Sequence, residues 1–185
     1  LSVPATHTIL TERLLLKQNA REDLPFVFAA TRYEGFNDGM MWEPPERIED
    51  MYPYLEQSHQ AWEKGEGYGF SFWKKDKSDF VGRISIRKND YGEGWNVGYF
   101  THPEHQGKGY ITEALEAILE FGFDILDASS IEAYYATWNE ASGRVLEKVG
   151  MQLRSFVRQG FEKRGKWVAE YRVVITRDQW EARRK

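Results

Sequence analysis

Two glycines bracket a lysine in His105-Gln106-Gly107-Lys108-Gly109-Tyr110-Ile111-Thr112-Glu113, at the point where a helical pattern begins. Glycine leaves neighbouring backbone N–H groups uncovered, and the first turn of a helix has N–H groups with no internal partner. With the positive end of the helix dipole, these donors form an anion site suited to phosphate. The run Val97-Gly98-Tyr99-Phe100-Thr101 leads into it through His102-Pro103-Glu104. Two phosphate motifs do not fit. A P-loop has Ser or Thr after Gly-Lys, where this chain has Gly109. A dinucleotide fingerprint has a third glycine where this chain has Thr112. Taken alone, the glycines serve a plain tight turn equally well.

A second group of polar side chains, Asn139 and Ser142, opens a short helical pattern after Trp138. Asn139 reads as a helix N-cap, and Ser142 is a first-turn residue with a free hydroxyl. The chain has no cysteine, which excludes disulfides, thiolate metal sites and a cysteine nucleophile. His7, His59, His102 and His105 show no ligand spacing with nearby acids, so no metal is expected. No Gly-x-Ser-x-Gly nucleophile elbow occurs. The net charge of −4 argues against nucleic-acid binding through a global basic field.

The elements that must position these residues are legible from periodicity. Length, at 185 residues, and 41% hydrophobic content point to one globular domain spanning 1–185. Ile9–Lys17 reads as a first strand, Asn19–Thr31 as a helix and Asn37–Pro45 as a loop. Ile48–Lys64 reads as a second helix interrupted near Pro53. Strands follow over Tyr68–Trp73, Asp79–Lys88 and Trp95–Thr101, with a turn at Asp90–Gly94. Ile111, Ala114, Leu115, Ile118, Leu119, Gly122, Phe123 and Leu126 form one buried helical stripe. Ile131–Ala136 is a strand, Asn139–Val149 a helix stopped by Gly150, and Met151–Phe161 with Trp167–Thr176 a closing hairpin before a frayed tail. The order predicts an α+β fold with a mixed, mostly antiparallel central sheet and one right-handed parallel crossover from Trp95 to Ala136. No apolar run approaches the roughly 18 residues of a membrane span. The start, Leu1-Ser2-Val3-Pro4, has no signal pattern and no methionine, so a start upstream stays open and a cytoplasmic location is expected.

Gln106-Gly107-Lys108-Gly109-Tyr110-Ile111 resembles the acyl-CoA motif of the GNAT acetyltransferase superfamily, with Ile111 where a small residue is usual. Asn139, Ser142 and the helix closing on Gly150-Met151 resemble the ribosomal-protein N-terminal (alanine/serine) acetyltransferase branch, as does Leu10-Thr11-Glu12-Arg13-Leu14-Leu15-Leu16. The resemblance covers essentially the whole chain. It implies a GNAT fold, acetyl-CoA as co-substrate, no metal, and direct attack of an amine on the thioester. Carried over, Gln106, Gly107, Lys108, Gly109, Tyr110, Ile111 and Thr112 would hold the pyrophosphate. Tyr99, Phe100 and Thr101 would face the pantetheine arm, and Asn139 would bond its amides. Ser142 would donate a proton to the leaving thiolate, since the later helix position that often carries tyrosine is Leu146.

The general base is not identified by the resemblance. A glutamate is frequent at the position of Asn96, which cannot take a proton at neutral pH. Glu93, Glu132, Tyr134 and His102 remain as candidates. About a tenth of an α-amine with pKa near 8 is neutral at pH 7, against about one part in 2,500 for lysine. A weak base therefore suits an α-amine. Trp42, Glu43, Tyr134 and Trp138 are expected acceptor-binding residues, with Trp73 and Trp167 as further walls and Glu34 and Asp38 as further acids. The leading expectation is acetylation of a primary amine, with a peptide or protein N-terminus favoured. The alternatives are a small-molecule acceptor (polyamine, amino acid or antibiotic) and a non-catalytic CoA-binding sensor. Monomer and homodimer are both open, with an exposed hairpin edge available for pairing.

Overall fold

The expected first strand over Ile9–Lys17 is a hairpin. In the computed structural model, which describes residues 3–90 and 93–185, β1 (Thr8–Leu10) and β2 (Leu14–Gln18) pair antiparallel. The Thr11 hydroxyl accepts from Leu14 N at 3.0 Å and closes the turn between them. Leu14 and Leu16 are fully buried, so β2 carries the core contacts of this run.

Both early helices begin at prolines. Arg21–Asp23 is a 3-10 turn that leads into α1 (Leu24–Ala30), and Ile48–Met51 leads likewise into α2 (Tyr52–Lys64). Pro53 sits in the first turn of α2, where its missing N–H would be unpartnered anyway; it starts the helix and does not interrupt it. Gly65, at φ 70, ends α2 in the left-handed conformation.

Six further strands complete one sheet: β3 (Gly67–Lys74), β4 (Phe80–Lys88), β5 (Trp95–Thr101), β6 (Ser130–Ala136), β7 (Gln152–Lys163) and β8 (Lys166–Thr176). The order is β1-β2-β3-β4-β5-β6-β8-β7, and every neighbouring pair is antiparallel except β5 with β6. Part of the expected turn at Asp90–Gly94, namely Tyr91 and Gly92, lies outside the described residues. Arg164 at φ 49 and Gly165 at φ 76 form the two-residue turn of the β7–β8 hairpin, the geometry that matches strand twist.

The buried stripe after the glycines does not continue as one regular helix. It forms α3 (Tyr110–Glu120) and then a π-helical stretch, Phe121–Ile125. The wider turn lets Phe121, Gly122 and Phe123 all face inward. Phe121 meets Tyr68 and Phe70 edge-on, and a Cβ on Gly122 would lie 2.6 Å from Ile131 Cδ1. The expected frayed tail is a docked helix, α5 (Arg177–Arg183), capped by Thr176 and Gln179. Its Trp180 is buried and stacks on Phe123 at 5.5 Å.

One sheet face is covered by α3, α5 and α4 (Glu140–Lys148), with Leu115, Ile118, Phe123 and Leu146 against Ile84, Ile86, Val97 and Ile131. The other carries a smaller core of Leu24, Val27, Met51, Leu55 and Phe80 from α1, the Ile48–Met51 turn, α2 and β4. Among the described residues no helix is long and apolar enough to cross a membrane. Gly82 joins the central strands at their closest approach: a Cβ there would lie 2.3 Å from Phe100 O and 2.5 Å from Phe72 Cζ. Alanine in place of a strand glycine ordinarily stabilises by about 0.5–1 kcal/mol. Gly82→Ala should do the reverse and lower unfolding free energy in urea by about 1–3 kcal/mol, because the backbone oxygen cannot yield.

Candidate active site

β5 and β6 pair at Trp95–Ile131 and Asn96–Glu132 and then separate. β5 remains bound to β4 along its length, and β6 to β8. A slot therefore opens in the middle of the sheet, bounded on one side by the main chain of Val97–Thr101. On the face that packs against α3 and α4, Tyr99 and Thr101 line it; on the opposite face lie Gly98 and Phe100. Gly98 is exposed although its strand is central, which marks an opening on that second face.

The slot runs toward the glycine turn. Gly107 at φ 73 and Gly109 at φ 79 both adopt the left-handed conformation. A Cβ on Gly107 would meet nothing within 4 Å, so backbone conformation and not space calls for glycine there. Among the described residues, none of the N–H groups from Gly107 to Thr112 donates to a partner; Glu113 N is the first to do so, to Gly109 O at 3.2 Å. Six successive uncommitted donors at a helix start form a cradle for an anion of phosphate size.

The turn is fastened from outside. Glu113 accepts from Thr11 Oγ1 at 2.5 Å, Arg13 N at 2.7 Å and Arg13 Nε at 2.7 Å. Arg13 Nη1 donates to Lys108 O at 2.9 Å, and its guanidinium lies 4.5 Å from the Tyr110 ring centre. Lys108 Nζ donates to Glu104 O at 3.0 Å, and Gln106 Nε2 to Thr101 O at 3.2 Å. Ile111 is half-buried and packs on the core, so its bulk is accommodated inward. Burial alone would raise the Glu113 carboxyl, but the bonds from Thr11 and Arg13 outweigh it and hold the group below its ordinary value.

At the mouth of the slot the Tyr99 hydroxyl and Ser142 Oγ lie 3.2 Å apart, and Ser142 N donates to Asn139 Oδ1 at 3.2 Å. Asn139 is thus a true N-cap of α4. Burial pushes the Tyr99 phenol up to about 12, with the Ser142 bond acting in the opposite sense, so it stays protonated across the physiological range. Gly143 lets α4 approach: a Cβ would lie 3.0 Å from the Tyr135 ring. Leu146 is a core residue of α4.

The expected acceptor residues are brought to the second face unequally. Trp42 stands 6.2 Å from Phe100, with Phe36 at 5.4 Å from the same ring. Trp138 is 57% exposed and overlies Gly39, where a Cβ would meet its ring at 3.2 Å. Tyr134 OH donates to Glu132 Oε1 at 3.4 Å, and Glu132 accepts from Arg172 Nε at 2.7 Å. Glu43 is engaged by Lys163 at 3.1 Å and by Arg164 at 3.1 Å, and its carboxyl is held low chiefly by the Lys163 hydrogen bond. Its charge is therefore already balanced, as is that of Asp38, 3.4 Å from Arg164. Trp73 belongs to the core, donating to Asp23 at 3.2 Å, whereas Trp167 is exposed on the hairpin. Of the candidate bases, His102 is buried in the turn, accepting from Glu104 N at 3.3 Å, and Glu132 is ion-paired. Glu93 is exposed. Among the described residues no three His, Cys, Asp or Glu side chains converge as a metal site.

Several features escaped sequence reasoning. The Tyr99 hydroxyl carries no signal beside the strand backbone that the motif points to, the Thr11–Arg13–Glu113 clasp joins residues about a hundred positions apart, and nothing near Lys163 in the sequence marks its role. Lys163 is buried and donates to Met40 O at 2.8 Å and Trp42 O at 2.9 Å, strapping the Asn37–Pro45 loop to the final hairpin. Glu170 on β8 carries no ion pair among the described residues, and burial pushes its carboxyl up.

Comparison with known proteins agrees with this geometry. A family profile described as the acetyltransferase (GNAT) domain matches residues 13–152. YnaD of Bacillus subtilis, an uncharacterized N-acetyltransferase, is 28% identical over 176 residues, covering 93% of this chain and 98% of its own. The crystal structure of a GNAT-family acetyltransferase from Bacillus anthracis has a TM-score of 0.80 at 25% identity, covering 93% of this chain and 99% of that one. RimL, a ribosomal L7/L12 α-N-protein acetyltransferase solved with coenzyme A, has a TM-score of 0.83 at 14% identity, covering 94% and 99% respectively. At that identity the likeness is one of fold.

The clasp has a pH signature. Because the folded Glu113 carboxyl titrates below its ordinary 4.5, its contribution to stability is present above that value and is lost as pH falls through the folded value. Glu113→Gln should lower the melting temperature most near neutrality, with the gap to the parent protein narrowing in acid. A gap that is unchanged at about pH 3 would show that the carboxylate is not the fastening group.

Proposed function

The chain belongs to the GNAT acetyltransferase family, and from that premise we propose that it is an acetyl-CoA-dependent N-acetyltransferase acting on a primary amine, with a peptide or protein N-terminal α-amine favoured. The whole chain, 1–185, is proposed to act as one acyl-CoA N-acyltransferase domain. The observation that carries the reading is the central slot between β5 and β6 leading to the uncommitted N–H groups of Gly107–Thr112. A slot with open main-chain groups suits an extended amide-bearing arm, and the cradle suits a pyrophosphate. Acetyl-CoA supplies an activated thioester; the protein supplies position, polarisation and proton management.

In this reading the amine nitrogen attacks the thioester carbon directly, the C–S bond breaks, the nitrogen loses a proton and the sulfur gains one. Backbone N–H groups of β5 beyond Asn96 polarise the carbonyl. The Tyr99–Ser142 pair donates to the departing sulfur, and Ser142 passes on the proton. Asn139 both caps α4 and orients Ser142. Trp42, Tyr134 and Trp138 border the acceptor side, and Glu43 holds the loop that carries Trp42. Glu132 is occupied by Arg172, so the neutral fraction of the acceptor amine matters, which favours a low-pKa α-amine over a lysine side chain. The ribosomal α-N-protein acetyltransferase among the structural neighbours is in keeping with an N-terminal acceptor. The site is proposed to work without a metal, inside the cytoplasm.

Free thiol release from acetyl-CoA with a panel of peptide N-termini, polyamines and aminoglycosides tests the activity directly. Tight CoA binding with no turnover across that panel would favour a sensor. Ser142→Ala should lower kcat by roughly 10²-fold while leaving CoA affinity within about threefold, and Tyr99→Phe should do the same to a smaller degree. Equal loss of CoA affinity and turnover in both variants would mean that the pair is structural.

A further inference from the structure

Arg83 lies on the face of β4 that looks toward the acceptor side, in register with Phe100 of β5 and Ser71 of β3. Its Nε and Nη2 are enclosed and find no hydrogen-bond partner among the described residues. Nη1 likewise donates to none of them but is not enclosed, so it is the nitrogen that meets open space. A guanidinium presents five donors and stays charged at physiological pH. A buried charge is costly unless something pairs with it, so such a group calls for a reason.

No described residue supplies the missing partner. Asp23 is the acid that acts on Arg83, opposing the downward push of burial on its pKa. Its oxygens are already engaged, by Ala20 N at 2.7 Å, Ser71 Oγ at 2.6 Å and Trp73 Nε1 at 3.2 Å. Other cations on this side are matched: Arg172 by Glu132, and Arg164 by Asp38 and Glu43. Arg83 differs from them in having no such match among the described residues.

Its place in the sheet relates it to the slot. The neighbouring same-face pair is Ser85 with Gly98, the exposed glycine of the central strand. A Cβ on Gly98 would meet nothing nearer than Ser85 Oγ at 3.9 Å, so open space lies directly above this pair. Arg83 stands one strand spacing, about 4.8 Å, from β5, and two residues, about 7 Å, along from Gly98. An arginine side chain spans that distance.

We propose that Arg83 is the anion-recognising residue of the acceptor subsite, and that the acceptor carries a carboxylate a few bonds from the amine that is acetylated. The proposal rests on amine acetylation across the β5–β6 slot and narrows its substrate class. A carboxylate that meets the open Nη1 accepts a charge-assisted hydrogen bond there and balances the guanidinium charge. A fixed cation in the same place repels polyamines. The carboxylate has two possible sources, a free amino acid or an acidic side chain near a peptide N-terminus.

Matched pairs separate these sources. One pair is alanine and alaninamide; the other is a short peptide with Asp at its second position and the same peptide with Asn. Binding to the CoA-saturated protein is read by calorimetry, and turnover by thiol release from acetyl-CoA. The carboxylate member of at least one pair should be favoured about tenfold or more. Arg83→Gln should abolish that preference and Arg83→Lys retain part of it, with acetyl-CoA affinity and melting temperature as folding controls. Equal binding of both members, survival of the preference in Arg83→Gln, or no binding of any member would overturn the proposal. If Arg83→Gln does not fold, the parent's preference and its reduction in Arg83→Lys decide. Preferential binding without thiol release would count against acetyl transfer and leave Arg83 standing; turnover of amines without preference would do the opposite.

Discussion

A sheet interrupted at its centre is the constraint on which this molecule depends. Beyond Trp95–Ile131 and Asn96–Glu132, β5 and β6 give up the hydrogen bonds that neighbouring strands normally share. Each unpartnered backbone group in a buried place costs about 1–3 kcal/mol, so the gap persists only if both strands are held from elsewhere. β4 holds β5 through the close crossing at Gly82, and β8 holds β6 along its length. From one face the slot is braced by α3, the π-helical stretch after it and α4, with Gly122 of that stretch against Ile131 and Gly143 of α4 against Tyr135. At both glycines a methyl group would force the facing side chain to shift.

The cradle obeys the same logic on a smaller scale. A turn with two left-handed residues and a run of uncommitted donors has little to hold it by itself. Its rigidity comes from Glu113, which binds the β1–β2 turn through Thr11 and Arg13, while Arg13 reaches back to Lys108 O. An acid beside an anion site would ordinarily oppose binding; here Arg13 neutralises it at 2.7 Å. The outcome is a fixed loop whose backbone donors face outward.

Much of the donor side was legible in the chain itself. Gly107, Gly109 and the apolar stripe of α3 mark a helix start with exposed N–H groups, and Asn139 marks another. Local chemistry decides such features, so local sequence displays them. What stayed hidden depends on distant register. The pairing of Tyr99 with Ser142, the engagement of Glu43 by Lys163, and the position of Arg83 opposite Phe100 all require knowing which strand lies beside which. The break in the α3 pattern at Phe121 and the docking of α5 share one cause. Phe121 and Phe123, two residues apart, cannot both face the core on a regular helix, and the wider turn together with Trp180 resolves the mismatch.

The buried Lys163 strap has a consequence for how such a chain is made and altered. The residues of β5, the glycine turn, β6 and α4 that frame the slot come from one continuous stretch, Trp95 to Gly150. The Asn37–Pro45 loop, by contrast, ties Met40 and Trp42 to a lysine 123 and 121 positions later. During synthesis the loop must therefore wait for the final hairpin before its own carbonyls are matched. A change at the hairpin tip that removes Lys163 therefore unfastens the Asn37–Pro45 loop, while the Trp95–Gly150 stretch keeps its own contacts.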